Sequence, residues 1–139
     1  MQISKLAYYS LIALFICLSC TKDKGPFLPL ENSSNKPISF QNKVQPIFNQ
    51  HCVSCHDNIV YSGNLNLTNS NSYNNLVNVV STAYSPNIRV VPSKPTNSVL
   101  LQKINNSNQF GQNMPISGSL SQQEINNIKE WINQGALNN

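Results

Sequence analysis

The chain is poor in charge, in cysteine and in long apolar runs. Only 10% of its 139 residues are charged, and its nine lysines and arginines stand singly rather than in clusters. Nucleic-acid binding needs a basic patch or stripe, so that class of partner is excluded. The length excludes a multi-domain enzyme, because one small domain uses up most of it. No apolar run reaches the roughly 18–20 residues that a membrane-spanning helix requires. No set of strands with period-two alternation emerges, which leaves an all-α class. Two of the four cysteines fall within the first twenty residues, so no disulfide framework can staple the remainder. A domain this small buries a limited share of its unfolded surface, and without disulfides it needs a metal or a cofactor for support.

What is present begins with an address. Lys5 is followed by an apolar run from Leu6 to Leu18, thirteen residues that match the length and flanks of a secretory signal rather than a membrane span. Leu18-Ser19-Cys20 resembles the lipobox of bacterial lipoproteins, with Cys17 standing where leucine is usual. Residues 1–19 are therefore expected to be a lipoprotein signal peptide, and Cys20 the acylated first residue of the mature chain. Discounting Lys5 leaves eight basic residues against five acidic ones and lowers the formal charge from +4 to +3. Residues 20–38 contain Gly25, Pro26, Pro29 and Pro37 without apolar periodicity, and read as a flexible tether reaching about 25 Å. The folded domain is expected over residues 39–139.

Four helical patterns follow. Phe40, Val44, Ile47 and Phe48 fall on one helical face, and a start near Gln41 or Asn42 keeps Pro46 in the first turn, where its missing N–H is tolerated. A second, weaker helix covers Ser72 to Val79. A third follows Asn97 as N-cap, with Val99, Leu100, Leu101 and Ile104 facing inward. The fourth has the capping box Ser121/Glu124, the apolar stripe Ile125, Ile128, Trp131 and Ile132, and Gly135 at the position just past the helix end. Ile88 to Pro92 reads as an extended connector. Trp131 lies on the apolar stripe and is assigned to the core.

Cys52-Val53-Ser54-Cys55-His56 is the attachment motif for c-type haem. On one turn of helix the two thiols face the same side and can form thioethers with the haem vinyl groups, while the next residue aims an imidazole at the iron. A thioredoxin-like redox pair would need a βαβ pattern, which is absent. Structural zinc would need four ligands, yet His51, Cys52, Cys55 and His56 share one short stretch and no second pair closes a tetrahedron. A simple disulfide between Cys52 and Cys55 stays open as an alternative. A haem held by one histidine leaves a sixth coordination site. Once Met1 goes with the signal, Met114 is the single methionine, in a loop fixed by Pro115, and is the expected soft ligand. His51 is expected to be a solvated histidine at the helix end. Tyr84 and Arg89 are candidate hydrogen-bond partners for haem propionates.

With these residues in hand, the chain resembles the class I monohaem cytochromes c, and more closely planctomycete-type cytochrome c domains. The resemblance runs from about Phe40 to Ala136. It includes Val44-Gln45-Pro46-Ile47-Phe48 ahead of His51-Cys52, Gly63-Asn64-Leu65 and Val91-Pro92 with Ser98 and Leu100. It continues through Met114-Pro115, Leu120-Ser121 and Glu124 to Trp131-Ile132 and Gly135-Ala136. Ser93 stands where the family often has glycine, and Asn113 where it often has a basic residue. The resemblance implies a small all-α cytochrome c fold of about four helices, the first crossing the last. It also implies one covalent haem c, His56 and Met114 as axial ligands, and one-electron transfer.

The expected wrapping of the haem comprises Phe48, Leu65, Leu67, Leu100, Leu101, Ile104, Ile128, Trp131 and Ile132. The expected function is that of an electron carrier rather than an enzyme. It would be exported, anchored by lipid on the periplasmic side or cell envelope, and would pass single electrons between redox partner proteins. Two rivals are a haem enzyme or sensor with a labile sixth ligand, and a haem module docked on a larger complex. The distal loop offers no histidine or arginine for O–O cleavage, and there is no second CxxCH. Lys43, Lys94, Lys103 and Lys129 read as solvated surface residues, with a ring around the haem edge as the alternative.

Overall fold

A computed structural model of the protein describes residues 36–139. The signal segment 1–19, Cys20 and most of the tether lie outside the described residues. Among those described there are four α-helices and no strand, only isolated bridges.

The first helical segment shows how the chain accommodates proline. Phe40–Val44 winds as a wide π turn and runs straight into helix α1, Gln45–His51. Pro46 has no N–H to return to the preceding turn, and the wider turn instead lets the Gln45 N–H reach the Phe40 carbonyl. The segment thus starts within two residues of the expected position, but its first turn is not α-helical. Its leading N–H groups all find acceptors. Asn42 donates to Ser39 Oγ at 3.2 Å, Phe40 to Asn139 Oδ1 at 2.8 Å, and Gln41 to the Asn139 carbonyl at 3.0 Å. Two of the orphan donors of this helix start are therefore capped from the far end of the sequence.

Helix α2, Ser72–Leu76, is shorter than the expected 72–79. Beyond it the connector competes for the backbone. Asn78 N–H donates to the Val90 carbonyl at 3.0 Å, Arg89 N–H to that of Val79 at 2.8 Å, and Val90 N–H to that of Leu76 at 3.1 Å. Residues 77–80 are drawn into extended pairing with 88–90, and the helix stops. A 3-10 turn at Pro95–Asn97 leads to helix α3, Val99–Ile104. Asn97 does not cap it. Ser98 occupies that position, but its hydroxyl accepts from the Val91 N–H at 2.9 Å and donates to the Lys94 carbonyl at 3.0 Å. The first N–H groups of α3 go to the connector instead, Val99 to Ile88 at 3.1 Å and Leu100 to Arg89 at 3.0 Å.

Helix α4, Gln122–Asn133, carries the complete capping box between Ser121 and Glu124. It ends in a Schellman motif: Gly135 takes φ +101°, its N–H bonds to the Ile132 carbonyl, and the Ala136 N–H to that of Trp131. Phe40, Val44, Ile47 and Phe48 of the first segment pack against Ile128, Trp131 and Ile132 of α4 in one buried cluster. The Phe40 and Trp131 rings lie 5.0 Å apart, and the Trp131 indole N–H is satisfied by the Leu137 carbonyl at 2.9 Å. Each such side chain contributes about 1.5–3 kcal/mol by leaving water. One polar group enters this region with its partners. Gln45, fully buried, donates to the Leu67 carbonyl at 3.0 Å and to Asn49 Oδ1 at 2.9 Å, and accepts from the Ser72 hydroxyl. It ties α1 to α2 without leaving an unpaired amide.

Candidate haem-binding site

Helix α1 ends at His51, and the chain turns once more before leaving the helix direction. The Cys55 and His56 N–H groups both return to the Cys52 carbonyl, at 3.1 and 3.0 Å. This turn holds Cys52, Cys55 and His56 together on the wall of a cavity of about 610 Å³. That is within the range of roughly 300–1,000 Å³ usual for cofactor sites. Leu65, Leu67 and Leu76 line it on one stretch of chain, and Val99, Leu100 and Ile104 on another. Met114, Pro115 and Ile116 of the loop before α4 line it too, as do Tyr84, Arg89 and Lys103.

His56 is oriented by a backbone group. Its Nδ1 lies 2.9 Å from the Ser62 carbonyl, which only accepts, so Nδ1 must carry the proton. In the neutral imidazole Nε2 then presents a lone pair, the form in which histidine binds a metal. Leu67 N–H bonds to the His56 carbonyl at 2.8 Å, and Asp57 N–H to that of Val60 at 3.1 Å, so the histidine sits at the base of a tight reversal.

The thiols do not resemble an activated redox pair. Cys52 is pushed up to about 12 by burial, reinforced by Cys55 beside it. A catalytic dithiol is held in the opposite direction, toward thiolate. A neutral sulfur in an apolar wall suits a thioether. Both cysteines are free, Cys52 half-buried and Cys55 exposed.

Arg89 is buried, and its guanidinium donates to the carbonyls of Asn75 at 2.8 Å, Asn64 at 2.7 Å and Gly63 at 3.2 Å. Burial lowers its pKa from the ordinary arginine value. No carboxylate among the described residues pairs with it, so its charge faces the cavity region uncompensated. A planar apolar group bearing carboxylates would supply both the filling and the counter-charge.

The structure redistributes several expected residues. Of the nine expected to wrap the haem, Leu65, Leu67, Leu100 and Ile104 line the cavity. Phe48, Ile128, Trp131 and Ile132 belong to the core instead, because the α1 and α4 stripes face each other, and Leu101 of α3 joins the same cluster. His51 is not simply solvated: its Nε2 lies 2.9 Å from Glu124 Oε1, joining the end of α1 to the first turn of α4. Hydrogen bonds from the Ser121 hydroxyl and N–H, and then from His51, hold the Glu124 carboxyl below the usual carboxylate range. The capping box was readable from the sequence; its third partner, 73 positions away, was not. Leu76 and Val99 also join the lining. Lys103 is no free surface lysine. Its ammonium is turned onto backbone carbonyls of the loop that carries Met114. Ser93 takes φ +60°, a left-handed conformation that favours glycine.

A family model described as Cytochrome c matches residues 41–136, which spans α1 to the end of α4 and every cavity-lining element. No curated protein and no solved structure matches the chain. The cavity's size, its apolar walls, the paired thiols, the imidazole and the unmatched guanidinium all fit the group that the family carries. The chain belongs to the cytochrome c family, whose domains bind a covalently attached haem c and transfer electrons.

Proposed function

We propose that the protein is an exported, lipid-anchored carrier of single electrons, with one haem attached through Cys52 and Cys55 and ligated by His56 and Met114. The observation that carries this reading is the convergence of those four side chains on a single apolar cavity, with the His56 tautomer already set by Ser62. When bound, haem supplies a one-electron Fe(III)/Fe(II) couple. The residues of the chain do the rest. His56 offers Nε2, Met114 offers a soft thioether that raises the reduction potential, and the leucine-rich wall keeps water away from the ring. A haem held by both His56 and Met114 would leave oxygen and peroxide no open position. The second histidine at the cavity, His51, is engaged with Glu124.

No helix among the described residues is long and apolar enough to cross a membrane. In this reading, attachment runs through acyl chains on Cys20 after removal of residues 1–19, with the tether up to residue 38 lifting the domain toward its redox partners. The test is an optical spectrum of the oxidised and reduced protein, made in a host that matures c-type cytochromes. A low-spin c-type spectrum with a far-red methionine-to-iron band, insensitive to CO and lost in Met114→Ala, is expected. A high-spin, CO-binding spectrum in the parent protein would move the function to catalysis or sensing, and absence of covalent haem would end this reading. A Cys20→Ser variant is expected to leave the membrane fraction; retention there would remove the anchor.

A further inference from the structure

Met114 sits in residues 105–121, a stretch without helix between α3 and α4. Within it Asn106, Asn108, Gly111 and Gly118 all take positive φ. Such a segment, with few apolar contacts of its own, belongs to the low-stability end of a fold unless something fastens it. Ser107 is tied to the Gln102 carbonyl and Leu120 is buried in the core, but around Met114 the fastening comes from one residue of α3. The Lys103 carbonyl accepts the Met114 N–H at 2.7 Å. The Lys103 ammonium donates to the carbonyls of Phe110, at 2.9 Å, and Gln112, and to the Tyr84 hydroxyl at 3.3 Å. An ammonium has three protons, and three acceptors surround this one. It also lies 5.4 Å from the centre of the Tyr84 ring, whose centroid is 5.1 Å from that of Phe110.

The arrangement is unusual for a lysine. No carboxylate pairs with it, and Glu124 is engaged with His51 and Ser121. Its charge is spent on backbone oxygens at two loop positions that immediately precede Met114, while its own backbone holds Met114 directly. Charge-assisted bonds of this kind are stronger than neutral ones. Lys103 also lines the cavity wall, so the clamp lies beside the ligand rather than at a remote edge.

We propose that Lys103 is a positioning residue for the sixth ligand: its ammonium fixes the course of residues 110–114 and so keeps the Met114 thioether at the iron. This inference rests on Met114 being that ligand. Without the ammonium, the Phe110 and Gln112 carbonyls turn to water and the loop samples conformations in which the thioether is withdrawn. The apparent affinity of any competing ligand scales with the fraction of molecules in which the site is open.

The test uses the mature haem protein and three variants. Lys103→Leu keeps an apolar stem and removes all three donors, Lys103→Gln keeps two donors without the charge, and Lys103→Arg keeps charge and donors. The far-red methionine band is expected to lose at least about half its intensity in Lys103→Leu, with CO affinity of the reduced protein raised about tenfold as the open fraction rises. Lys103→Gln should fall between, and Lys103→Arg should restore most of the band. Covalent haem content and the far-ultraviolet helix signal should stay at the parent level throughout. If Lys103→Leu melts earlier yet keeps the band and its CO insensitivity, the lysine is merely structural and the proposal is overturned. If Lys103→Leu does not accumulate, an unchanged band in Lys103→Gln overturns it equally. Failure of the ligand assignment looks different, because the far-red band is then missing from the parent protein itself.

Discussion

The two walls of the cavity, one carrying Cys52, Cys55 and His56 and the other Met114, are built on different principles. On the attachment side, Cys52, Cys55 and His56 are placed by bonds between near neighbours: one further turn after α1, the Asp57–Val60 reversal, and the Ser62 carbonyl on the imidazole. On the methionine side, residues 105–121 contain no helix, and Met114 is placed by contacts with Lys103 and, through it, with Tyr84. The first wall is a product of local sequence. The second depends on α3 and the segment carrying Tyr84 having already assembled. A local motif can therefore set its own three side chains almost anywhere, whereas the placement of Met114 needs the fold.

The largest effect should come from removing what the first wall exists to do. Cys52→Ser combined with Cys55→Ser is expected to abolish covalent haem completely, as read by haem staining after denaturing electrophoresis; retained staining would break the contrast. Next is Phe40→Ala, in the core between α1 and α4. Phe40 is fully buried, and its truncation should cost about 3–5 kcal/mol in urea unfolding. The folded fraction should nonetheless keep its far-red band, since the ring of Phe40 packs on Phe48, Tyr73 and Trp131 and takes no part in the bonds that hold the loop of Met114. Loss of the band in step with stability would merge the two walls into one.

A smaller effect concerns acid. The folded carboxyl of Glu124 is held below its unfolded value of about 4.3, so its contribution is complete above that pH and disappears as pH falls through the folded value. Glu124→Gln should therefore be less stable than the parent at pH 7, with the two urea midpoints converging as the pH falls through the folded value. A constant gap would dissociate this carboxylate from acid sensitivity. The smallest effect is at Ser93, whose left-handed φ favours glycine. Ser93→Gly should raise stability by about 0.5 kcal/mol, the relief of strain exceeding the extra chain entropy, as measured by thermal unfolding.

How far each feature could be read from the sequence follows the same division. The attachment motif, the capping box at Ser121 and Glu124 and the glycine after α4 are all contained within a few residues, and each is found where its pattern predicts. The end of α2 was misplaced because nothing within Ser72 to Val79 announces that Val90 will claim the Leu76 carbonyl. Asn97 looked like a cap because the sequence does not reveal that Ile88 and Arg89 receive the first N–H groups of α3. The apolar residues were identifiable as buried, but not which faced the cofactor and which faced another helix. His51 and Lys103 each looked like isolated surface residues. Their partners lie on other elements, and pairing across elements leaves no mark at short spacing.

The cap that Asn139 places on the first helical segment has a consequence for the order of events during synthesis. Phe40, Gln41 and Ser39 all bond to a residue made about a hundred positions later. Contacts so distant in sequence form late, because the intervening chain must first be closed. The helix that leads to Cys52 is therefore among the last parts to be locked, although it is among the first to be made. Until Asn139 is in place the half-buried Cys52 is as open as Cys55, so this distant contact, rather than the local turn, sets how long both thiols stay within reach of a reagent.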